Sequence, residues 1–553
     1  MNSRPILSCV ALLGASLVSV SALAGNGSLE LQGTPPVTPL PSDSSVLPTP
    51  PAESPRAAAQ AAAAEQTAVI RAVDITGNTV VSTQALLDGV GPVDGRKLTL
   101  VQMNDLAQRV AQTYHALGYP FVRAYLPPQR IKDGVLHIEV LEGIVGRAHA
   151  EGSDPKSHQA QPFLDVGVPT GEVIQDRRLE RTMLLLNDEP GFRVHPVLQP
   201  GEGRGESDLS VDVVRVNYVS GQIAVDDTGA ESTGRYRTRA DININSPFMF
   251  GDQIAASGLY TDKQMWLGSI DYELPLGARG MRGQVAYSRT SYQLAGQFAA
   301  LDASGFADTT SAKLSYPLLR SQMSNAIASL TAQHKRLEDK FSGAILSDSK
   351  RSDSAVVALQ FDNKDSAFGG GVTYGQASLT AGNLSLDAKS RAADSTTAKT
   401  AGDYAKLNVD VARIQRLSDQ FSAYVRVSGQ VASKNLDSSE KYAIGGYLGV
   451  RAYPMGEGSG DNAWLSQTEL RYGLGETTIF GFADAGQAFL NANPWDAKST
   501  TRRSLAGVGL GVRWLSGPWS VESTLGERVH GGAAQSDSHD YNPRLYVLAS
   551  YRF

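Results

Sequence analysis

From about position 218 to position 553, polar and apolar residues alternate along a series of short segments. Segment 235–245 shows it best: Arg, Arg, Arg, Asp, Asn and Asn occupy the odd positions, and Tyr, Thr, Ala, Ile and Ile the even ones. Side chains of a β-strand point alternately to two faces, so a period of two predicts strands. A helix, or a strand buried on both faces, would not tolerate this row of charges. A strand between lipid and a watery lumen requires it.

About sixteen such segments fit between 217 and 553, starting near positions 219, 234, 251, 265, 279, 310, 323, 353, 370, 402, 419, 463, 476, 502, 517 and 543. They predict a 16-stranded antiparallel transmembrane β-barrel. Connections after even-numbered segments are mostly short, whereas six after odd-numbered segments are long: 291–308, 336–352, 382–401, 434–462, 488–501 and 529–542. Outer-membrane barrels pair short periplasmic turns with long outer loops in this way. A soluble β-sandwich, the alternative, would not sort its loops by length.

Two shorter regions before the barrel mix helical and strand periodicity, and each predicts a small α+β domain. In 69–143 the order is β-α-α-β-β, with strands near 71–75, 121–126 and 136–140 and helices at 83–87 and 100–117. A second, similar unit is expected in 144–214. It has an amphipathic helix around Leu179, Met183 and Leu186 and a last strand in which Leu209, Val211 and Val213 alternate with polar residues.

The N-terminal part has the features of an export signal followed by a linker. Residues 1–24 combine Arg4, an apolar stretch and an Ala-x-Ala site before Gly25, so a cleaved signal peptide is expected. Residues 25–68 are rich in proline and alanine, which predicts an extended linker. The alanine-rich stretch 56–66 is a strong helix former. It is either a marginal helix in the linker or a plug for the pore.

Composition narrows the range of functions. The formal net charge is -6, which gives no indication of a basic surface for nucleic acid. Cys9, in the signal, is the only cysteine, so no disulfide or thiolate chemistry is expected. No run of 18 apolar residues follows the signal, so transmembrane helices are not expected.

Motifs for catalysis or metal binding are not found, and we expect neither an enzyme nor a cofactor. The eight histidines form no H-E-x-x-H pattern, and Gly458-Ser459-Gly460 is not a nucleophile elbow. Two histidines and two aspartates share one predicted outer loop, where they form either a metal site or, as we favour, solvated loop residues: His530, His539, Asp537 and Asp540. Asp226 and Asp227 are expected in the lumen or at the rim beside the first barrel strand.

A glycine-rich stretch within the long connection 434–462 carries one arginine. Gly445, Gly446 and Gly449 precede Val450-Arg451-Ala452-Tyr453. Glycine allows sharp turns and close backbone approach, so the loop can carry the guanidinium to a defined place. Arginine stays charged when partly desolvated, and its planar fork can meet a carboxylate through two hydrogen bonds.

Several of these segments resemble a known family. Gly118-Tyr119, Arg123-Ala-Tyr-Leu-Pro-Pro-Gln129, Asp133-Gly134 and Leu141-Glu142-Gly143 resemble the first POTRA domain of two-partner secretion (TpsB) transporters, the haemolysin-activator and filamentous-haemagglutinin exporters. Residues 144–214 resemble the second POTRA domain. Val450-Arg451-Ala452-Tyr453 resembles the VRGY/F motif of the family's sixth loop, which folds back into the lumen. Phe482-Ala483-Asp484-Ala485-Gly486 matches its partner motif, F-x-D-x-G.

The resemblance implies that Arg451 pairs with Asp484 on the barrel wall. Alanine stands at 452, where the family usually has glycine, and alanine does not easily adopt positive φ. The tip geometry is therefore expected to differ slightly. The final strand, with Tyr551 and Phe553, resembles the assembly signal of bacterial outer-membrane barrels.

The implied function is secretion across the outer membrane of a Gram-negative bacterium. The POTRA domains would capture an unfolded TpsA-type exoprotein in the periplasm, by adding a strand to a sheet edge, and the barrel would release it outside. Periplasmic chaperones, the barrel assembly machinery and the lipid bilayer are further expected partners. The alternatives are a barrel-assembly insertase of the same superfamily and, less favoured, a passive porin.

Overall fold

The computed structural model describes residues 67–295, 303–341 and 346–553. The predicted signal peptide 1–24, nearly all of the linker 25–68 and the possible helix 56–66 lie outside the described residues. No helix among the described residues is long and apolar enough to cross a membrane.

The first α+β unit contains two helices packed on a mixed three-stranded sheet of order β2-β5-β4. Its elements are β1 Thr67–Ile70, β2 Ala72–Thr76, α1 Thr83–Val90, β3 Arg96–Thr99, α2 Leu100–Ala116, β4 Arg123–Tyr125 and β5 Val135–Leu141. The sequence pattern missed β1 and β3, which pair with each other outside the main sheet. Four residues each are too short for a period of two to be visible.

Helix α2 begins and ends where its sequence requires. Thr99 accepts a hydrogen bond from the Gln102 backbone, and the Gln102 side chain accepts one from the Thr99 backbone, which forms a capping box. Gly118, with φ of 89°, lies just past its end. The buried face of α2 packs on the buried residues of β5 and makes the core of the unit: Leu106, Val110, Tyr114, Leu136, Ile138 and Val140.

The second unit repeats this architecture with a sheet of order β6-β8-β7. Its elements are β6 Ile144–Glu151, a 3-10 turn Ser157–Ala160, α3 Gln161–Gly167, α4 Asp176–Asn187, β7 Phe192–Pro200 and β8 Glu206–Arg215. Residues predicted to be apolar and inward, Leu179, Met183 and Leu186 on α4 and Leu209, Val211 and Val213 on β8, are all buried in one core.

Sixteen antiparallel strands then form a closed barrel. They are β9 Val219–Asp226, β10 Arg237–Asn245, β11 Gln253–Thr261, β12 Trp266–Pro275, β13 Arg282–Gln293, β14 Ala303–Arg320, β15 Ser324–Phe341, β16 Leu346–Asp365, β17 Gly371–Leu386, β18 Gly402–Arg416, β19 Phe421–Ala432, β22 Asn462–Leu474, β23 Thr477–Phe489, β24 Arg502–Ser516, β25 Trp519–His530 and β26 Arg544–Arg552. Strand β26 closes on β9 in the register Leu548–Asp226 to Arg552–Gln222. The predicted strand number and antiparallel order are confirmed.

Two predicted strand starts were wrong. Strand β14 starts at Ala303 rather than near 310, and β16 at Leu346 rather than near 353. Strands β14, β15 and β16 have 18, 18 and 20 residues, whereas about 9–11 suffice to cross a bilayer. Their outer ends extend beyond the apolar belt, where the outward positions become polar. The loss of that apolar pattern made the predicted loops 291–308 and 336–352 too long.

Residues 433–461, named the inward loop, connect β19 to β22. The loop contains a 3-10 turn, Ser438–Glu440. Its two limbs, the segments that lead into and out of the tip, pair as two short antiparallel strands, β20 Tyr442–Ala443 and β21 Ser459–Gly460. The loop between β17 and β18 contains an exposed helix, Ala388–Ser395.

The two α+β units and the barrel are docked without a free linker. The Ile174 N–H donates to the Gly143 carbonyl at 2.9 Å across the two units. In the turn between β10 and β11, Phe250 enters the core of the second unit. Arg282 of the barrel pairs with Glu189 of that unit at 2.7 Å. Contacts of this kind fix the second unit against the short-turn end of the barrel.

Candidate functional site: a loop latched inside the barrel

The tip of the inward loop lies inside the barrel, against the middle of β22 and β23. Val450, Ala452 and Tyr453 are fully buried, and Arg451 is 4% exposed. The Val450 N–H donates to the Ile444 carbonyl at 2.7 Å, which closes the tight turn that presents the arginine.

Arg451 meets Asp484 through three hydrogen bonds. Its Nε and Nη2 donate to the two carboxylate oxygens at 2.9 and 2.8 Å, and its backbone N–H donates to Oδ2 at 3.0 Å. The guanidinium also lies 3.8 Å from the centre of the Phe482 ring. Planar, two-point pairing is available to arginine and not to lysine, and the flat guanidinium also stacks on an aromatic face. The structure therefore brings together the two residues that the motifs suggested.

A second carboxylate contacts Arg451, and sequence reasoning missed it. Nη1 donates to Glu469 Oε1 at 2.5 Å, and Glu469 is buried. Glu469 shares the inner face of β22 with Gln467, while Trp464 and Leu470 face outward. This alternation in the sequence was a signal that could have placed Glu469 in the lumen two residues from the level of Asp484.

Arg426 on β19 is the second missed residue. It pairs with Asp410 on β18 and donates from Nη1 to the Leu448 carbonyl at 3.1 Å. Gln467 Nε2 donates to the Gly449 carbonyl at 2.8 Å. These two wall residues bind the backbone of the loop at Leu448 and Gly449, just before Arg451. Because they contact the loop backbone rather than a side-chain motif, no spacing of residues along the chain points to them.

The predicted glycines serve the tip in two ways. Gly446 adopts φ of 111°, which favours glycine. A Cβ on Gly445 would lie 2.8 Å from the Pro454 carbonyl oxygen, and one on Gly449 would collide with the Ile444 carbonyl. On the wall, a Cβ on Gly486 would lie 2.9 Å from the Trp464 carbonyl oxygen. Close backbone approach, more than positive φ, is the reason for these glycines.

Ala452 does not take positive φ, so the expected conflict with its backbone does not arise. Its methyl group instead lies over the wall at Gly507, where an added Cβ would be 2.5 Å from the Ala452 Cβ. The Tyr453 hydroxyl donates to the carbonyls of His530 and Gly532 at 2.8 and 3.0 Å. The tip thus fits a small depression in the wall beside β24 and β25.

The limbs of the inward loop are held by further buried ion pairs. Glu440 lies 2.7 Å from Lys335 of β15 and 2.8 Å from Lys406 of β18. Lys350 of β16 pairs with Asp437 at 2.9 Å. We call these contacts of residues 437–440 the stem contacts.

The other candidate residues have structural partners. Asp537 binds Arg544 and Arg235 at 2.6 and 3.0 Å, and Asp540 pairs with Arg528. His539 stacks on Tyr541. Within the described ranges, no group of three or more His, Cys, Asp or Glu residues could hold a metal ion. Asp226 pairs with Arg237 at 2.8 Å in the barrel wall.

The last strand closes the barrel at its periplasmic end. The Phe553 N–H donates to the Gly221 carbonyl at 3.0 Å, and the Gly221 N–H donates back at 2.9 Å. Tyr551 and Phe553 are both exposed on the outer surface of the barrel.

A closed barrel that holds an inward loop and carries two α+β units, the second fixed at the short turns, has the architecture of an outer-membrane barrel protein with periplasmic domains. Comparison with known sequences agrees. Residues 205–514 match the family described as haemolysin secretion/activation protein ShlB/FhaC/HecB, and residues 68–143 match its POTRA domain, ShlB-type. The chain belongs to this family of two-partner secretion transporters, with the barrel in the outer membrane and the POTRA domains in the periplasm.

Individual relatives carry the names of transporters. The heme/hemopexin transporter protein HuxB of Haemophilus influenzae is 26% identical over 461 residues, 81% of each chain. The outer membrane transporter CdiB of Dickeya dadantii is 23% identical over 75% of each. The solved structure of CdiB from Escherichia coli has the same fold, with a TM-score of 0.74, 20% identity and coverage of 97% of this chain and 98% of that one. The matching family and these named sequence relatives are secretion transporters, which fits the main interpretation and not the insertase alternative.

Proposed function

We propose that the barrel is the conduit for an unfolded TpsA-type exoprotein and that the inward loop is its lid. The contact of buried Arg451 with Asp484 and Glu469 carries this proposal. A charge held in a narrow lumen by two wall carboxylates gives the loop one defined resting place, because an unpaired partner would be strongly disfavoured there. Polar contacts of this kind can also re-form after the cargo has passed.

The POTRA domains would receive the cargo before it enters the barrel. Capture as an added β-strand uses main-chain hydrogen bonds and tolerates varied side chains, which suits an unfolded polypeptide. The relatives are named heme/hemopexin transporter, outer membrane transporter and hemolysin transporter. These names support an exoprotein as the cargo, and a β-helix as its form outside the cell is what the family resemblance implies.

The chain itself would carry out no chemistry. Folding of the cargo outside the cell would bias the direction of transport, since the motifs of nucleotide binding were not found in the sequence. Periplasmic chaperones would deliver the barrel to the assembly machinery, with Tyr551 and Phe553 as the signal that the machinery recognises.

The Arg451–Asp484 pair is tested by Arg451→Ala and Asp484→Ala in cells that also produce a TpsA-type exoprotein of the same organism. Either change leaves a buried charge without its partner, at a cost of about 3–5 kcal/mol, so the lid loses its resting position. We expect secretion into the medium to be strongly reduced, while heat-modifiable migration shows that the barrel still assembles.

Asp271→Ala is the matched control. Asp271 also lies on the lumenal face of the wall, since its neighbour Ile270 faces outward, and it accepts a hydrogen bond from Gln284 of the next strand at 3.0 Å. Secretion with this variant should stay near the wild-type level. Normal secretion with both latch variants would show that the pair is not needed for transport.

A further inference from the structure

The two POTRA sheets differ in which of their edge strands could pair with an added strand. A strand can be added only where backbone N–H and C=O groups point outward without partners. The first sheet has β2 and β4 at its edges, and the second has β6 and β7. These four edges can be compared one by one.

Two prolines remove backbone donors from the outer edge of strand β7. The Val194 N–H donates to Asn187 Oδ1 at 3.0 Å, so the even-numbered residues of β7 point away from β8. Two of the following even positions are Pro196 and Pro200, which have no N–H. Leu198 is left as the donor between them. Proline on an edge strand is one of the ways in which proteins prevent the addition of a further strand.

Strand β6 is covered by its own domain. Val145 exchanges hydrogen bonds with residues 171–172, donating to Glu172 at 2.9 Å and accepting from Gly171 at 2.7 Å. Further along the strand, the Gln161 side chain accepts from the Ala150 N–H at 2.8 Å and donates to the Ala148 carbonyl at 2.9 Å. One side chain thus occupies the place that an added strand would need.

Strand β4 is short and crowded. It has three residues, Arg123–Tyr125, and prolines follow at 127 and 128. The Val122 carbonyl just before it is within 3.2 Å of His115 Nε2. Phe121 packs against the core of the second unit, and Arg204 of that unit lies over the Tyr125 ring. This edge therefore faces the neighbouring domain.

Strand β2 has the free edge. The Ala72 N–H donates towards β5, to Gly134 at 3.2 Å, and the pair is parallel. Since alternate residues of a strand direct their backbone groups to opposite sides, Val73 and Ile75 direct theirs away from β5. Within the described residues β2 pairs with β5 alone, and no hydrogen bond is found to the N–H of Val73 or Ile75. The strand contains no proline.

We infer that the exoprotein docks as an extended strand along the free edge of β2, on the backbone groups of Val73 and Ile75, and that the second POTRA domain takes no strand. The inference rests on the proposed capture of unfolded cargo by the POTRA domains. Main-chain pairing selects an extended segment. Its side chains should alternate in polarity, because one face of the sheet is packed on helices and the other, at Asp74 and Thr76, is exposed.

The test compares variants that remove one N–H with variants that do not. Val73→Pro removes an outward donor from β2, whereas Val73→Ala shortens the same side chain and keeps the donor. Leu198→Pro makes the equivalent change on β7. Secretion of a TpsA-type exoprotein of the same organism should fall about tenfold with Val73→Pro, the effect of one or two lost main-chain hydrogen bonds. It should change little with Val73→Ala and Leu198→Pro.

A photo-crosslinking residue at position 74 or 195 of the otherwise unchanged full-length chain gives a second measurement, which needs no proline to be tolerated. Asp74 and His195 are exposed on β2 and β7. Cargo arrested in transit should crosslink at 74 and not at 195, and the reverse result would overturn the inference. Equal loss of secretion in Val73→Pro and Val73→Ala, or no loss in either, would do the same. If the wild-type chain releases no exoprotein at all, the proposed function itself fails.

Discussion

Glu142 shows how a single buried carboxylate holds the first POTRA domain together. It accepts hydrogen bonds from the Thr79 backbone at 2.7 Å, the Thr79 hydroxyl, the Val80 backbone at 3.1 Å and the Tyr114 hydroxyl at 2.6 Å. Burial alone would raise the pKa of Glu142, but the hydrogen bonds from Thr79 and Tyr114 outweigh it and lower the pKa below its usual value. The carboxylate joins the turn after β2 to helix α2.

Glu142→Gln should destabilise the first domain by about 1–3 kcal/mol, because an amide cannot accept all of these hydrogen bonds. In the wild type, a lowered folded-state pKa means that the stabilisation is present above the unfolded pKa of about 4.3 and is lost as pH falls through the folded value. Hydrogen exchange of α2, corrected for intrinsic rates, should show this acid-side loss in the wild type and not in Glu142→Gln. An equal acid response in both chains would contradict the assignment to Glu142.

The surroundings of Arg451 show which single residues of the site can be predicted from the sequence alone. The motif residues Arg451 and Asp484 could be matched in advance because their spacing follows a family pattern. Alternation along β22 could have placed Glu469 in the lumen, but its contact with Arg451, like that of Arg426 with the loop backbone, depends on which wall positions face the loop at one height of the barrel. Ala452 was expected to change the tip geometry slightly, and in the structure its methyl group lies over Gly507.

At the scale of elements, the inward loop is held at two levels. Its tip is fixed by Arg451, and its stem is fixed near the outer end by Glu440 with two lysines and by Asp437 with a third. Glu440 is 5% exposed, so its charge is separated from bulk water. Release of the tip alone would therefore leave the stem attached to β15, β16 and β18.

Glu440→Gln should free the stem while the tip remains paired. Two buried lysines lose their counter-charge, which costs about 3–5 kcal/mol if they stay buried, so the limb should move outward to solvate them. Trypsin added to intact cells should then cut at Lys434 or Lys441. Asp353→Asn, on an exposed carboxylate of the outer wall, is the control. Resistance equal to that of the control would show that the stem is held by other contacts.

At the scale of the whole molecule, the second POTRA domain and the barrel form one unit. Phe250 is 3% exposed, and its ring centre lies 4.7 Å from that of Phe192 in the domain core. Arg282–Glu189 and Arg320–Asp188 pairs, both at 2.7 Å, flank this contact. The periplasmic domains therefore present their edges at a fixed position below the pore.

Phe250→Ala should loosen this attachment, because a buried phenylalanine contributes about 3–5 kcal/mol to its core. Spin labels at His195 on β7 and Asp419 in a periplasmic turn should give a narrow distance distribution in the wild type and a broad one in Phe250→Ala. Phe248→Ala removes an exposed ring, 69% accessible, from the same turn and should leave the distribution narrow. A narrow distribution in all three chains would show that the ion pairs suffice.

The sequence by itself determined the barrel, because a wall between lipid and water imposes polarity at every second residue, and that constraint is local along the chain. It also determined the two α+β units, the residues of the loop motif and those of its partner motif on the barrel wall. Tertiary structure decided how far β14 to β16 extend beyond the apolar belt, which wall residues hold the inward loop and which POTRA edge stays free. Those features depend on contacts between residues far apart in the chain, such as Gln161 with Ala150 on β6 or Phe250 with Phe192, and no local period records them.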